Sequence, residues 1–201
     1  EDMMECASLV PPDFIVNVVS NLAGRICGVF AGNWVSAWRR ATRLVDEIYG
    51  VEIRERADIV IATAGGYPKD ICLYQAQKGL NLASQALKPG GHILLLAASP
   101  QGVGDDIYFD YVSQFTSPEE VIRDFQAGGF RMGAHKAYLF GRTLVNYDVA
   151  VCSELDPGIL RTCHLRAADP TRVLAEWVEA LPGTPRVAII PNANTTYFYP
   201  A

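Results

Sequence analysis

A chain of 201 residues, half of them hydrophobic, with 17 glycines and 12 prolines, is long enough to close one globular domain or somewhat more around a real core. Its formal net charge of −5 gives it no electrostatic reason to hold nucleic acid or an anionic membrane surface. The longest strongly apolar stretch, HILLLAA at 92–98, falls far short of the ~20 residues of a membrane-spanning helix, and the acidic EDMMEC start is no signal peptide.

Residues 14–20 (FIVNVVS) alternate and are rich in β-branched side chains, which predicts a strand; the turn at 21–24 leads to an antiparallel partner over 25–32. From Trp34 to Gly50, Trp34, Ala37, Trp38, Ala41, Val45 and Ile48 recur at helical spacing, with Gly50 as the stop. The continuous apolar run 58–64 (DIVIATA) predicts a buried parallel strand. Asp70 is placed to cap a helix whose core stripe is Leu73, Ala76, Leu80, Ala83 and Leu87, ended by Pro89-Gly90-Gly91. Residues 92–99 are the next strand, so a right-handed crossover is expected. A long loop follows over 100–111. Ser117 heads a helix to about 129, and a further helix covers 134–143. The pattern closes with a strand at 147–154, a helix at 170–181 and a strand at 186–192. This alternation predicts an α/β fold: a Rossmann-like, mainly parallel sheet flanked by helices, preceded by a short antiparallel strand pair.

Ligands of open α/β sheets bind beyond the carboxyl ends of the strands. Three turns fall there: 65–70 (GGYPKD), 100–106 (PQGVGDD) and 191–196 (PNANTT). Gly65 and Gly66 open backbone conformations closed to other residues and admit close approach. The following helix is expected to present free N–H groups to an anion. Gln75 and Lys78 share a face of that helix away from the core stripe, and together offer a point charge, a donor and an acceptor. Taken alone, a Gln-x-x-Lys is far more often a solvated helix face, and two glycines more often only a tight turn.

The remaining motif search is mostly negative. His92, His135 and His164 do not lie at metal-ligand spacing, and there is no HExxH, CxxC or GxSxG, so no metal site is expected on this chain. Five scattered cysteines (6, 27, 72, 152 and 163) read as reduced thiols of a cytoplasmic protein. The stretch 86–96 (ALKPGGHILLL) is similar to the late strand of Rossmann-type methyltransferases, but no GxGxxG occurs and the early candidate, 29–34, has one glycine.

One resemblance extends through most of the chain. The run 64-AGGYPKDICLYQAQKGLNLASQALKPGGHILLLAASPQGVG-104 resembles the nickel-dependent lactate racemase family, with Gly65, Gly66, Pro68, Asp70, Tyr74, Gln75 and Lys78 all in place. The resemblance implies a racemase or epimerase that inverts the hydroxyl-bearing carbon of a 2-hydroxy acid, by hydride transfer to and from a nickel-pincer nucleotide. It implies that Lys78 and Gln75 are catalytic, and that Tyr74, Gly65, Gly66, Asp70 and His135 lie near substrate or cofactor. In this family the cofactor tether, the metal-binding histidine and the acid–base histidines belong to an N-terminal domain, for which no match is found here. Residues 1–50 are then expected to connect from that domain, and 51–201 to form the C-terminal domain, inert without its partner. The start at Glu1 rather than Met fits such a fragment. Some lactate-specific members carry a tryptophan near the position of His135. None occurs here between Trp38 and Trp177, which puts lactate in question and points to a larger hydroxy acid. Gln101 stands where relatives commonly have an acidic residue. The competing reading is a non-catalytic Rossmann-like module that binds a nucleotide or organic anion at the 65–70 turn.

Overall fold

The structure, a computed structural model, describes residues 2–201 and divides into a unit ending at Gly50 and a unit of Val51–Ala201. In the first unit, an exposed helix α1 (Asp2–Leu9) precedes the antiparallel strands β1 (Ile15–Ser20) and β2 (Ile26–Gly32). Their turn is held by Asn21, whose side-chain oxygen accepts from the amides of Ala23 and Arg25. Helix α2 (Trp34–Tyr49) starts on the Asn33 side chain, which accepts from the Ser36 amide, and it buries Ala37 and Ala41. Gly28 lets the helix come close, since a Cβ there would lie 2.7 Å from a Leu44 methyl group.

In the second unit, β3 (Gly50–Ile53) pairs with β9 (Tyr197–Pro200). The main sheet is five-stranded. Its order is β7 (Arg166–Ala167), β6 (Asp148–Cys152), β5 (Leu87–Leu96), β4 (Ala57–Thr63) and β8 (Val187–Ile190), and every pairing is parallel. The expected class, a helix-flanked parallel sheet with an antiparallel strand pair ahead of it, is the one that forms. Strand alternation sorts the core into two layers. Val60, Ala62, Ile93, Leu95, Val149 and Val151 face helices α3 (Leu73–Ala83), α4 (Asp106–Val112), α5 (Pro118–Gly128), α6 (Ala134–Leu144) and α7 (Pro157–Thr162). Ile59, Leu94 and Ala150 face α8 (Pro170–Ala180) through Val173 and Trp177. Among the described residues, no helix is long and apolar enough to cross a membrane.

Three local expectations are corrected. The helix after β4 does not reach Pro89: it ends at Ala83, a 3-10 turn covers Ser84–Ala86, and Leu87 already belongs to β5. Proline cannot continue a helix, and Gly90 at φ 73° lets the strand bulge. Ala57 faces Leu87 while Ile59 faces His92, so β5 carries three extra residues there. Within the supposed loop 100–111, α4 begins at Asp106, because the Asp105 carboxylate accepts from the Tyr108 amide at 2.7 Å. Asp70 does not cap α3: the cap position is Cys72, with no side-chain bond, and Asp70 turns to the loop after β5 instead.

Two anchors fix the sheet. Trp177, 1% exposed, donates from its indole nitrogen to Asp148 at 2.6 Å and stacks on His92 at 4.9 Å. Trp177→Ala should cost ~3–5 kcal/mol of unfolding free energy, measured by denaturant titration. The Asp58 carboxylate accepts from Lys88 Nζ at 2.7 Å and from the Arg186 amide at 2.8 Å, joining the starts of three strands. The Lys88 bond first, and the Arg186 amide next, hold its carboxyl below the ordinary 3.8. A group depressed on folding stabilises above its unfolded pKa and loses that contribution as pH falls through the folded value. Melting temperature should therefore drop below about pH 4, and Asp58→Asn should lower it at neutral pH while flattening the acid decline.

Candidate functional site

The carboxyl ends of β4, β5 and β8 meet three interlocked turns. Gly65 and Gly66 follow β4 at φ 100° and 70°, a region that disfavours side chains. A Cβ on Gly65 would also lie 3.2 Å from the Asn192 side-chain oxygen and 3.2 Å from Lys69 Cδ, so the turn is packed against the 191–196 turn. Thr63 reinforces that join: its hydroxyl donates to the Pro191 carbonyl at 2.5 Å and accepts from the Gly65 amide at 3.0 Å. Gly79 brings α3 onto the same edge, because a Cβ there would lie 2.5 Å from Asn194 Oδ1 and 3.4 Å from Ala64 Cα.

The loop after β5 completes the frame. Asp70 accepts from the Ala98 amide through its carboxylate at 3.3 Å and from the Ser99 amide through its carbonyl at 2.9 Å. Gln101 is exposed, and its amide donates to the Ile71 carbonyl at 2.9 Å. The first amides of α3 are not free. Leu73 donates to the Gly102 carbonyl at 3.1 Å and Tyr74 to the Val103 carbonyl at 3.0 Å. The expectation that these amides cradle an anion is therefore overturned: backbone carbonyls of the next loop already occupy them. Gly104, at φ 88°, permits this lacing, since a Cβ would fall 2.2 Å from Cys72 Sγ.

Charge at the site comes from side chains. Lys78 is exposed, Gln75 is half-buried, and Lys78 Nζ donates to Gln75 Oε1 at 2.8 Å. The pair predicted from spacing forms, leaving the glutamine NH2 and two lysine protons for a guest. Tyr74 lies one turn before Lys78. Its ring meets Tyr108 and His135 edge to face, each with centroids 6.3 Å apart. Burial, then the nearby Asp105 carboxylate, raises its phenol above the usual value. His135 is half-buried, stands 5.4 Å from Phe130 by ring centroids, and keeps its Nδ1 buried without a partner. Tyr74, Gln75, Lys78 and His135 thus form one group, while Gly65, Gly66 and Asp70 build the turn frame beside it.

Sequence reasoning missed two members of this group. Lys136 is 6% exposed, donates to Gln77 Oε1 at 3.0 Å and lies 4.9 Å above the Tyr74 ring. Burial, then the positive charge of Lys78, lowers its ammonium below the ordinary lysine value. Gln77 is 2% exposed, and its Nε2 has no partner. The available signal was position: Gln77 falls beside Ala76 and Leu80 on the core side, and Lys136 between Ala134 and Ala137, where a polar residue needs a buried partner. Among the described residues, no group of three His, Cys, Asp or Glu side chains converges to hold a metal.

The fold accords with what this chain is similar to. The Lactate racemase C-terminal domain family matches residues 53–195. Lactate racemase of Lactiplantibacillus plantarum is 31% identical over 198 residues, covering 96% of this chain and 46% of the relative. Lactate racemase of Thermoanaerobacterium thermosaccharolyticum is 30% identical over 156 residues, covering 76% of this chain and 36% of the relative. The chain thus spans about half the length of the curated relatives it matches, or less. The solved lactate racemase apoprotein from Thermoanaerobacterium thermosaccharolyticum superimposes with a TM-score of 0.91 at 26% identity, over 98% of this chain and 48% of that one. With the family match covering well over half of its residues, the chain belongs to the lactate racemase family, in the part formed by the C-terminal domain.

Proposed function

We propose that this chain is the C-terminal part of a 2-hydroxyacid racemase or epimerase, and that Lys78 and Gln75 address the substrate. The observation that carries the reading is the Lys78–Gln75 hydrogen bond, 2.8 Å long and open to solvent, at the mouth of the three-turn frame in a chain of this family. An exposed ammonium placed beforehand stabilises a carboxylate or a developing negative oxygen without reorganising at the moment of reaction. The glutamine amide, steadied by its bond to Lys78, offers two further donors to orient a hydroxyl. Tyr74 and His135 back this face, and Gly65, Gly66 and Asp70 hold the turns that frame it.

The family resemblance brings with it a nickel-pincer nucleotide and hydride chemistry. The residues of this chain do not fit a metal-holding role, since no ligating cluster converges among those described. They fit recognition of the organic substrate, and the cofactor then falls to the N-terminal domain of the same protein. All five cysteines are unpaired, which agrees with a reducing, cytoplasmic setting.

The test is chiral analysis of a panel of 2-hydroxy acids, lactate among them, incubated with the full-length protein carrying its nickel cofactor. At least one acid should be interconverted between its stereoisomers. Lys78→Ala should lower that turnover roughly 10²–10³-fold, as loss of a preorganised charge does. Its melting temperature should hardly move, because the side chain is exposed. Full activity in Lys78→Ala sinks the assignment of Lys78. A cofactor-loaded protein that converts nothing in the panel points to the anion-binding module.

A further inference from the structure

The group around Tyr74 contains a charge that substrate contact does not explain. Lys136 is 6% exposed and enters no ion pair among the described residues. Its ammonium donates to Gln77 Oε1 at 3.0 Å and lies 4.9 Å from the centroid of the Tyr74 ring. Burying an ammonium without a carboxylate is costly, and a hydrophobic residue of the same length would fill the space. The neighbours do not compensate: Gln77 Nε2 and His135 Nδ1 are themselves buried without partners. A polar cluster left under-satisfied in a core is kept for something other than stability.

Its position says what. Tyr74, Gln77 and Lys78 occupy the first turns of α3, so the group holding Lys136 also sets the orientation of the turn that bears Lys78. A cation over an aromatic face fixes both partners. We propose, resting on the assignment of Lys78 above, that Lys136 is a positioning residue of the site: clamped between the Gln77 amide and the Tyr74 ring, it fixes the first turns of α3 and supplies a second positive charge behind Lys78 for an anionic substrate group. The titratable groups around it are Lys78 and Tyr74 on α3, Cys72 just before that helix, Asp105 acting on Tyr74, and His135 on its own helix. Lys78 lowers the Lys136 ammonium, which places the two charges within each other's field.

The experiment uses the full-length, cofactor-loaded protein and whichever acid of the panel is interconverted. Lys136→Met should raise KM about tenfold, the scale of one unit charge acting at partly screened range, with a smaller change in kcat. The double variant Lys136→Met with Gln77→Leu removes the polar pair cleanly and guards against misfolding; its KM should stay raised although its melting temperature matches wild type. In spectra of protein bearing 13C-labelled lysine, the Lys136 signal, assigned by its loss in Lys136→Met, should titrate below the ordinary lysine range and move up in Lys78→Ala. A well-folded double variant with wild-type KM overturns the proposal, and so does a Lys136 midpoint that ignores Lys78. Full turnover in Lys78→Ala together with a moved midpoint removes the assignment of Lys78 while leaving the coupling of the two lysines standing.

Discussion

The amides at the start of α3 donate to the carbonyls of Gly102 and Val103, and the rest of the site is arranged around that lacing. A helix whose first N–H groups are taken by a neighbouring loop cannot offer them to a ligand. The groups left open at this edge are therefore side chains, among them the exposed ammonium of Lys78 bonded to Gln75. The same lacing ties the loop after β4 to the loop after β5, and Asp70 doubles the tie through Ala98 and Ser99. Glycines stand where these segments touch, with Gly104 against Cys72, Gly65 against Lys69 and Asn192, and Gly79 against Ala64. The frame is a set of close backbone approaches, which the glycines make possible.

Periodicity carried the fold well. The buried runs at 58–64 and 92–98 and the helices α3, α5 and α8 were legible because a parallel sheet between helices needs continuous apolar strands and amphipathic or well-capped helices. What escaped was short or depended on partners distant in sequence. Strands β3, β7 and β9 are two to four residues long and exist through pairing. Asp70 reads as a helix cap from its neighbours alone, yet a longer-range acceptor role wins, since the Ala98 amide lies 28 residues away. The bulge at Pro89–Gly91 looked like a helix terminator because proline and glycine end helices and distort strands by the same physics.

Of the candidate site, the exposed pair was legible as geometry. Gln75 and Lys78 sit on the polar side of a clear amphipathic helix, where spacing alone predicts their meeting. The buried half was not, because Gln77 and Lys136 stand 59 residues apart on two different helices and only the folded core sets them face to face. A lysine amid alanines has no meaning in one dimension; its meaning is the tyrosine ring beneath it and the amide beside it.

The strand order has a consequence for how the chain assembles. Strand β4 is an inner strand beside the edge strand β8, yet that partner is joined to it through Asp58 and Arg186, 128 positions apart. During synthesis from the N-terminus, β4, β5 and β6 can associate while the other edge of β4 is still open. That edge presents unpaired backbone groups and apolar side chains until the last strand arrives, and non-local parallel pairings of this kind form slowly. The turn bearing Asn192 and Asn194, which closes the frame against Gly65 and Gly79, follows directly on β8. The frame around Gly65 and Gly79 is thus complete only once the chain has been made through residue 196, far later in synthesis than the strands it closes against.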